Sequence, residues 1–107
     1  MPADLTREEI AAGVRLEGWR WMPGMLCSHP SLGRWRAGEI SPPSGFVPEP
    51  GDPATAGCLL DLLCPAAHLV RFVPGSGWQW FDGTDWHDAP NLGAACFRAA
   101  LARGRWG

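Results

Sequence analysis

The stretch that decides the fold is residues 78–87, Trp78-Gln79-Trp80-Phe81-Asp82-Gly83-Thr84-Asp85-Trp86-His87. Aromatic residues, which fit a pleated strand, stand on both sides of an Asp-Gly pair, and Asp-Gly readily adopts the positive φ of a tight hairpin turn. The pattern therefore predicts a β-hairpin. Trp78 and Trp80 are two residues apart, so they share one face of its first strand. That face is either the floor of a core or a platform on which other rings stack.

The hairpin extends backwards into a three-stranded antiparallel meander. Residues 68–73 form a predicted strand, and Pro74-Gly75-Ser76-Gly77 turns the chain into Trp78. Both faces of this first strand carry apolar residues, which is typical of a strand in the middle of a sheet. We therefore expect 68–73 to be the central strand.

The first helix is predicted over about residues 7–17. Thr6 and Glu9 have the spacing of a capping box, in which each side chain accepts a hydrogen bond from a free amide at the helix start. Gly18 is the natural end of the helix, because glycine readily adopts the left-handed conformation that closes one. The Trp-Arg-Trp segment 19–21 that follows is predicted to be extended.

The second and third helices carry equally clear signals. Asp52 caps the second helix, Pro53 occupies its first position, and Pro65 prevents it from continuing. The third helix is predicted over residues 92–103, between a capping Asn and a terminating Gly. Trp106, near the end of the chain, is expected to fold back onto the sheet.

Between the first two helices, residues 28–51 are rich in Pro, Gly and Ser and are predicted to form a long loop. A loop of this length is uncommon in a compact domain and is often functional. Within it, residues 33–36 can form a short edge strand. Arg34 and Arg36 would then share the face opposite Trp35.

These elements predict a single α+β domain over residues 1–107. A helix with one apolar stripe needs a sheet face or another helix to cover that stripe. We expect a small antiparallel sheet, made of the three-stranded meander plus short edge strands, covered by two to three helices. An apolar fraction of 46% and a charged fraction of 19% are those of a folded chain and not of a disordered one.

Charge and hydropathy exclude two classes of partner. The net charge of −2 gives no basic field that would attract duplex DNA or RNA. No segment is long enough in apolar residues to span a membrane, and the N-terminus lacks the pattern of a signal peptide. We therefore predict a cytoplasmic protein with no membrane partner.

The four Cys residues are predicted to be free, since nothing directs the chain to an oxidising compartment. Zinc is an alternative, because Cys27 lies two residues from His29, and Cys58 and Cys64 lie near His68. Neither group has the Cys-x-x-Cys spacing of a zinc knuckle. The sequence therefore predicts Cys residues that act as small buried hydrophobic groups, and neither a metal nor a cofactor.

The order of these parts resembles the phage ABA sandwich domain family of small phage and prophage accessory proteins. The resemblance is carried by Gly18-Trp19-Arg20-Trp21, by Asp52-Pro53-Ala54-Thr55, by the Trp-bearing hairpin and by residues 93–101. It covers most of the chain and transfers no activity and no site residue. It implies an accessory protein in the cytoplasm of a host cell, of a class that often counters host defence by blocking a protein or by sequestering a nucleotide signal.

Two kinds of non-catalytic binding fit the residue types. Trp and Arg dominate protein interfaces, which favours inhibition of a host defence protein or complex, in the manner of an anti-CRISPR. Trp can also stack on bases and Arg can bind phosphate, which leaves a nucleotide sponge as the alternative. A second copy of the chain is a further candidate partner, through an edge strand. The predicted binding residues are Trp21, Arg34, Trp35, Arg36, Arg71, Trp78, Trp80, Trp86 and His87.

Catalysis is the less favoured alternative. Asp82, Asp85 and Asp88 surround His87 at the hairpin turn, and a His beside carboxylates can act as a general base. Asp residues in turns, however, mostly serve the geometry of the turn. No nucleophile motif and no phosphate-binding Gly loop accompanies them in the sequence. We therefore predict no enzyme activity and no catalytic residue.

Overall fold

A computed structural model of the protein describes residues 4–39 and 41–107. The described residues form three helices, a short 3-10 turn at Ala66–Leu69 and two antiparallel sheets of three strands each, so the α+β class is confirmed. The short strands do not extend the meander but form a sheet of their own. The elements are α1 (Arg7–Val14), β1 (Leu26–His29), β2 (Gly33–Arg36), β3 (Val47–Pro48), α2 (Pro53–Leu63), β4 (Val70–Val73), β5 (Gly77–Phe81), β6 (Trp86–Asp88) and α3 (Leu92–Arg103).

Helix α1 begins with the predicted capping box. Thr6 Oγ1 accepts a hydrogen bond from the Glu9 amide at 3.1 Å, and Glu9 Oε1 accepts one from the Thr6 amide at 3.0 Å. The helix ends at Val14, earlier than Gly18 indicated. The reason is that the amides of Arg15 and its successor bond to carbonyls three residues back, which tightens and closes the last turn.

Helices α2 and α3 have the predicted caps and ends. Asp52 Oδ2 accepts from the Thr55 amide at 3.0 Å, and Asn91 Oδ1 accepts from the Ala94 amide at 2.8 Å. Gly104 closes α3 in the left-handed conformation, with φ of 78°.

Across residues 4–39 and 41–107, none of the helices has the length and apolar content needed to cross a bilayer.

The main core lies where α3 packs against α1 and α2. Phe97 of α3 is fully buried, and the Trp106 ring packs edge-on to it with centroids 5.0 Å apart. The indole N–H of Trp106 donates to the carbonyl of Gly13 in α1 at 2.8 Å. The expectation that Trp106 folds onto the sheet is therefore wrong: it closes the core between two helices, where its one polar group finds a backbone acceptor.

The second sheet, β4 to β6, has β5 in the middle, so the expectation that residues 68–73 form the central strand is wrong. The chain reaches β4 through the 3-10 turn, so the strand starts only at Val70. In the register, Val70 is opposite Trp80 and Phe72 is opposite Trp78. This face packs on α3, while Phe72 at the sheet edge keeps 57% of its surface exposed.

The first sheet, β1 to β3, has the strand order β2-β1-β3. The predicted edge strand 33–36 is confirmed as β2, but the region 28–51 holds most of a sheet where a long loop was expected. The sheet is attached to α2 because the Leu26 amide donates to Oγ1 of the fully buried Thr55 at 2.8 Å. Strand β3 contacts α1.

Candidate binding surface

The structure divides the nine predicted binding residues between the two sheets. The first sheet lies against α1 and the start of α2, whereas the second packs on α3. The nine residues therefore do not form one site. Trp21, Arg34, Trp35 and Arg36 lie in or next to the first sheet, and Arg71, Trp78, Trp80, Trp86 and His87 lie in the second.

Arg34 and Arg36 share one face of β2, as predicted, and both bind carboxylates of their own chain. Arg34 Nη2 lies 2.7 Å from Glu49 Oε2. Arg36 donates to both carboxylate oxygens of Asp52, at 3.0 and 3.2 Å, and to the carbonyl of Gly24 at 2.8 Å. The Arg36 hydrogen bond lowers the pKa of Asp52 to about 2. The two guanidinium groups thus tie the edge strand to the end of β3 and to the cap of α2.

Trp35 points to the opposite face of β2, and 41% of its surface is exposed. Its backbone carbonyl accepts a hydrogen bond from Cys27 Sγ at 2.9 Å, which fixes it to β1. The Trp35 ring lies edge-on to Phe46 at 6.1 Å, and Phe46 lies 5.2 Å from the ring of His29. Leu32, at the turn between β1 and β2, is 71% exposed. An exposed aromatic residue is therefore held on a well-anchored strand.

A groove of about 360 Å³ runs between α1 and residues 42–47. Four residues form its helical wall: Arg7, Ala11, Val14 and Arg15. Their spacing of i, i+4, i+7 and i+8 places them on one face of the helix. Phe46 lines the groove and also contacts Trp35, so the groove continues into the exposed side of the first sheet. The lining residues are Arg7, Ala11, Val14, Arg15, Trp21, Pro42, Pro43, Ser44, Gly45, Phe46 and Val47.

Arg7 and Arg15 are the charged residues in this lining, and no carboxylate accompanies them among the described residues. Arg7 Nη2 donates weakly to the carbonyls of Ser28 and Gly45, at 3.3 and 3.5 Å. Within residues 4–39 and 41–107, the side chain of Arg15 makes no hydrogen bond and no ion pair. The groove therefore combines apolar walls with an Arg at each end of its helical wall, and neither Arg forms an ion pair with a described carboxylate.

A second cavity, of about 580 Å³, lies on the other side of Arg7, between the start of α1 and residues 47–53. Arg7 and Arg34 line this cavity together with Asp4, Glu49 and Asp52. Because charges of both signs line this cavity, we expect it to attract an ionic ligand less strongly than the groove does.

Trp78 and Trp80 are half-buried and pack on the small residues of α3, among them the fully buried Ala94 and Ala95. His87 lies opposite Trp80 on the same face of the sheet, and the two rings stack with centroids 4.7 Å apart and planes at 27°. Of the two interpretations of this face, the core is the one that the packing supports.

The carboxylate of Asp82 organises the hairpin turn. Its Oδ1 accepts from the amides of Thr84 and Asp85 at 2.7 and 2.8 Å, and its Oδ2 lies 2.6 Å from Nε2 of His87. The hydrogen bond from the Asp85 backbone and the contact with His87 lower the pKa of Asp82 to about 2. Gly83 takes the positive φ of the turn, at 103°. The side chain of Asp82 thus holds the turn.

The remaining face of the second sheet is also internally paired. Arg71 Nε donates to Gln79 Oε1 at 2.9 Å, and Gln79 Nε2 donates to Asp88 Oδ1 at 2.8 Å. The Arg71 guanidinium lies 3.9 Å above the ring of Trp86, which in turn contacts Phe81 at 5.1 Å. Arg71 and Trp86 therefore satisfy one another in a cation–π pair.

The Cys residues show no arrangement for chemistry in the described part of the chain. All four are free thiols, and Cys27 and Cys96 are buried. Burial raises the pKa of Cys96 to about 12, which leaves it protonated and unreactive at neutral pH. Among residues 4–39 and 41–107, no three His, Cys, Asp or Glu side chains are grouped so that they could hold a metal ion.

No protein-family model, curated protein or solved structure matches this chain. The similarity to the phage ABA sandwich family therefore stays a prediction. The candidate surface is defined by its geometry: Trp35, Phe46 and the groove. Trp21 and Trp35 were predicted from the sequence, whereas Arg7, Arg15 and Phe46 were not. The helical spacing of positions 7, 11, 14 and 15 was the available signal for the first two.

Proposed function

We propose that this protein acts by binding a partner protein without catalysis, and that the partner is a component of a host defence system. The observation that carries the proposal is Trp35, which stands 41% exposed on an edge strand. Trp is enriched among the residues that dominate binding energy in protein interfaces. All four residues of its strand pair with β1, so the backbone at Trp35 needs little further ordering when it binds.

The surroundings of Trp35 support an interface. Arg34 and Arg36 are ordered by ion pairs with Glu49 and Asp52, so the strand carrying Trp35 is anchored on the face opposite its ring. On the ring side, Phe46 continues the aromatic surface toward the groove. Exposed apolar side chains beside a preformed groove are typical of a surface that a partner covers.

The kind of partner follows from the resemblance to phage accessory proteins. Such a protein acts in the host cytoplasm, and blocking one defence component by direct binding requires a surface and no active site. The nucleotide sponge is less favoured. Arg34 and Arg36, the cations expected to hold phosphate, already bind carboxylates, and Arg71 stacks on Trp86.

The proposal is tested by phage plating on bacteria that each carry one defence system and express this protein. We expect plating efficiency to rise on cells with one of these systems. Trp35→Ala should abolish the rise, because it removes the exposed ring. Phe72→Ala is the matched control, since Phe72 is an aromatic residue that is 57% exposed but lies on the second sheet.

Direct binding is then measured with the purified defence component and the same variants. The expected result is a complex that Trp35→Ala weakens and Phe72→Ala does not. If Phe72→Ala breaks the complex and Trp35→Ala leaves it intact, the interface lies on the second sheet. If no defence system is affected, the proposed partner class is wrong.

A further inference from the structure

We propose that the groove between α1 and residues 42–47 binds a short extended segment of the partner, in which two carboxylates flank apolar residues. This inference rests on the proposed function and specifies what the partner presents. The groove is continuous with Trp35 through Phe46. Its charges and its walls define the segment.

The two cations set the spacing of the carboxylates. Arg7 begins α1, and Arg15 is its C-cap with nearly helical angles, φ −90° and ψ −6°. Eight residues at about 1.5 Å per residue place their backbones about 12 Å apart along the groove. An extended chain rises about 3.3 Å per residue, so acidic residues four positions apart span this distance.

The walls between the cations call for apolar side chains. Ala11 and Val14 of α1 face Trp21 and Phe46, with prolines 42 and 43 beside them. Ser44 and the indole N–H of Trp21 supply the uncharged polar groups of the side chains among the lining residues that the structure describes. A nucleobase needs hydrogen-bonding groups to read its edge, so this lining favours an apolar peptide core over a nucleotide.

The groove is formed before binding. Arg7 bridges its helical wall to β1 through the carbonyl of Ser28 and to the facing segment through the carbonyl of Gly45. Gly45 has φ of +94°, and a Cβ there would press on the His29 ring at 3.0 Å, so the backbone of this wall depends on glycine. A preformed wall reduces the ordering that binding requires.

The test uses the purified protein and a pool of capped pentapeptides with Glu at the first and fifth positions and Leu, Ile, Phe, Trp or Pro between. A pool with Gln in place of both Glu residues is the matched comparison. Binding is followed by the NMR signals of the seven indole N–H groups. We expect the Glu pool to shift Trp21 and to bind about fivefold more tightly than the Gln pool, as two exposed ion pairs allow.

Arg7→Gln with Arg15→Gln should remove the preference for Glu, and about 0.5 M NaCl should weaken it. Arg103→Gln, which removes an exposed cation from α3, is the control and should change nothing. Equal binding of both pools, no binding of either, or displacement of the Glu pool by ATP or a cyclic dinucleotide overturns the inference.

The two proposals fail separately. Binding of the Glu pool is measured with the purified protein alone and reports on the groove, whereas the complex with the defence component reports on the exposed ring of Trp35. If the complex forms and depends on Trp35 but the Glu pool does not bind, the inference about the groove is wrong and the proposed function stands. If the Glu pool binds and no defence component is inhibited, the proposed partner class is wrong.

Discussion

The two sheets have the same number of strands and the same antiparallel pairing, but different interactions hold them. The first sheet is tied by polar contacts to its neighbours: the Leu26 amide to Thr55, and Arg36 to Asp52. The second sheet is held by aromatic packing, with Trp80 covered on one side by α3. Its outer face is closed by the pair of Arg71 and Trp86.

This difference shows which aromatic residues are available for binding. In the second sheet, Trp78, Trp80 and Trp86 have partners within the chain, so their energy stabilises the fold. In the first sheet, ion pairs on one face of β2 tie the strand to its neighbours, and Trp35 on the other face stays exposed. A count of Trp residues does not distinguish these two uses.

The strongest test of the attachment of the first sheet is Gly93→Ala. A Cβ at Gly93, near the start of α3, would overlap the carbonyl of Pro50, just after β3. We expect the free energy of unfolding to fall by about 3 kcal/mol, since backbone on both sides must shift. Gly57→Ala, in open space inside α2, is the control and should stabilise by about 0.5 kcal/mol. Urea denaturation measures both, and equal stabilities would show that α3 does not fix this segment.

Replacing one Trp in each sheet by Ala tests the division between fold and surface directly. Trp80→Ala removes a ring that packs on both buried clusters and should cost about 2 kcal/mol. Trp35→Ala removes a ring that is 41% exposed and should cost less than about 1 kcal/mol. Thermal and urea unfolding of the two variants measures the difference. A larger loss for Trp35→Ala would mean that Trp35 belongs to the core.

Thr55→Val tests the polar link between the first sheet and α2. The substitution keeps the shape of the side chain but leaves the Leu26 amide without its acceptor. A buried unsatisfied amide should reduce stability by about 1.5 kcal/mol. Thr84→Val, in the exposed turn of the second sheet, should have little effect. Hydrogen exchange should show the loss in β1 first, and loss confined to β5 would contradict this assignment.

The smallest expected effect is the pH dependence of the free energy of unfolding that comes from Asp52 and Asp82. The pKa of each of these residues is lowered to about 2. A carboxylate with a folded pKa below its unfolded value of about 3.9 stabilises the fold above that value and loses this as pH falls toward 2. We therefore expect the free energy of unfolding to decline from about pH 4 to about pH 2. The Asp82 contribution should weaken more in salt, because Asp82 is 31% exposed and Asp52 is 14% exposed.

The measurement is urea unfolding at several pH values in about 0.5 M NaCl. Asp52→Asn should flatten the pH dependence more than Asp82→Asn, and Asn still serves as a helix cap at position 52. If Asp82→Asn has the larger effect under these conditions, the contact between Asp52 and Arg36 stabilises the fold less than the contacts of Asp82 do.

The helices and the hairpin were predictable because their signals are local. Thr6 with Glu9, Asp52 with Pro53, and the stretch 78–87 each specify an element through residues that lie within a few positions of one another. The position of the strand 70–73 was not predictable in the same way. Apolar residues on both faces are typical of a central strand, but β4 lies at the edge of its sheet. One face of β4 is covered by α3, and the other face lies on the outer side of the sheet.

The first sheet and the groove were largely hidden from sequence reasoning. Strands β1 to β3 lack a clear alternation of apolar residues, and their partners, Thr55 and Asp52, lie on a helix that follows them in the chain. The sequence placed Arg34 and Arg36 on one face but did not show that Glu49 and Asp52 neutralise them. Arg15 and Phe46 line the same groove, and only the fold brings Phe46 opposite α1.

The sequence by itself determined three capped helices, an aromatic hairpin and the α+β class, because caps, turns and periodic patterns act between near neighbours. Only the tertiary structure decided that there are two sheets, which Trp rings are covered, and which Arg side chains keep a free charge. Those properties depend on contacts between residues that are far apart in the chain, and no local pattern contains them.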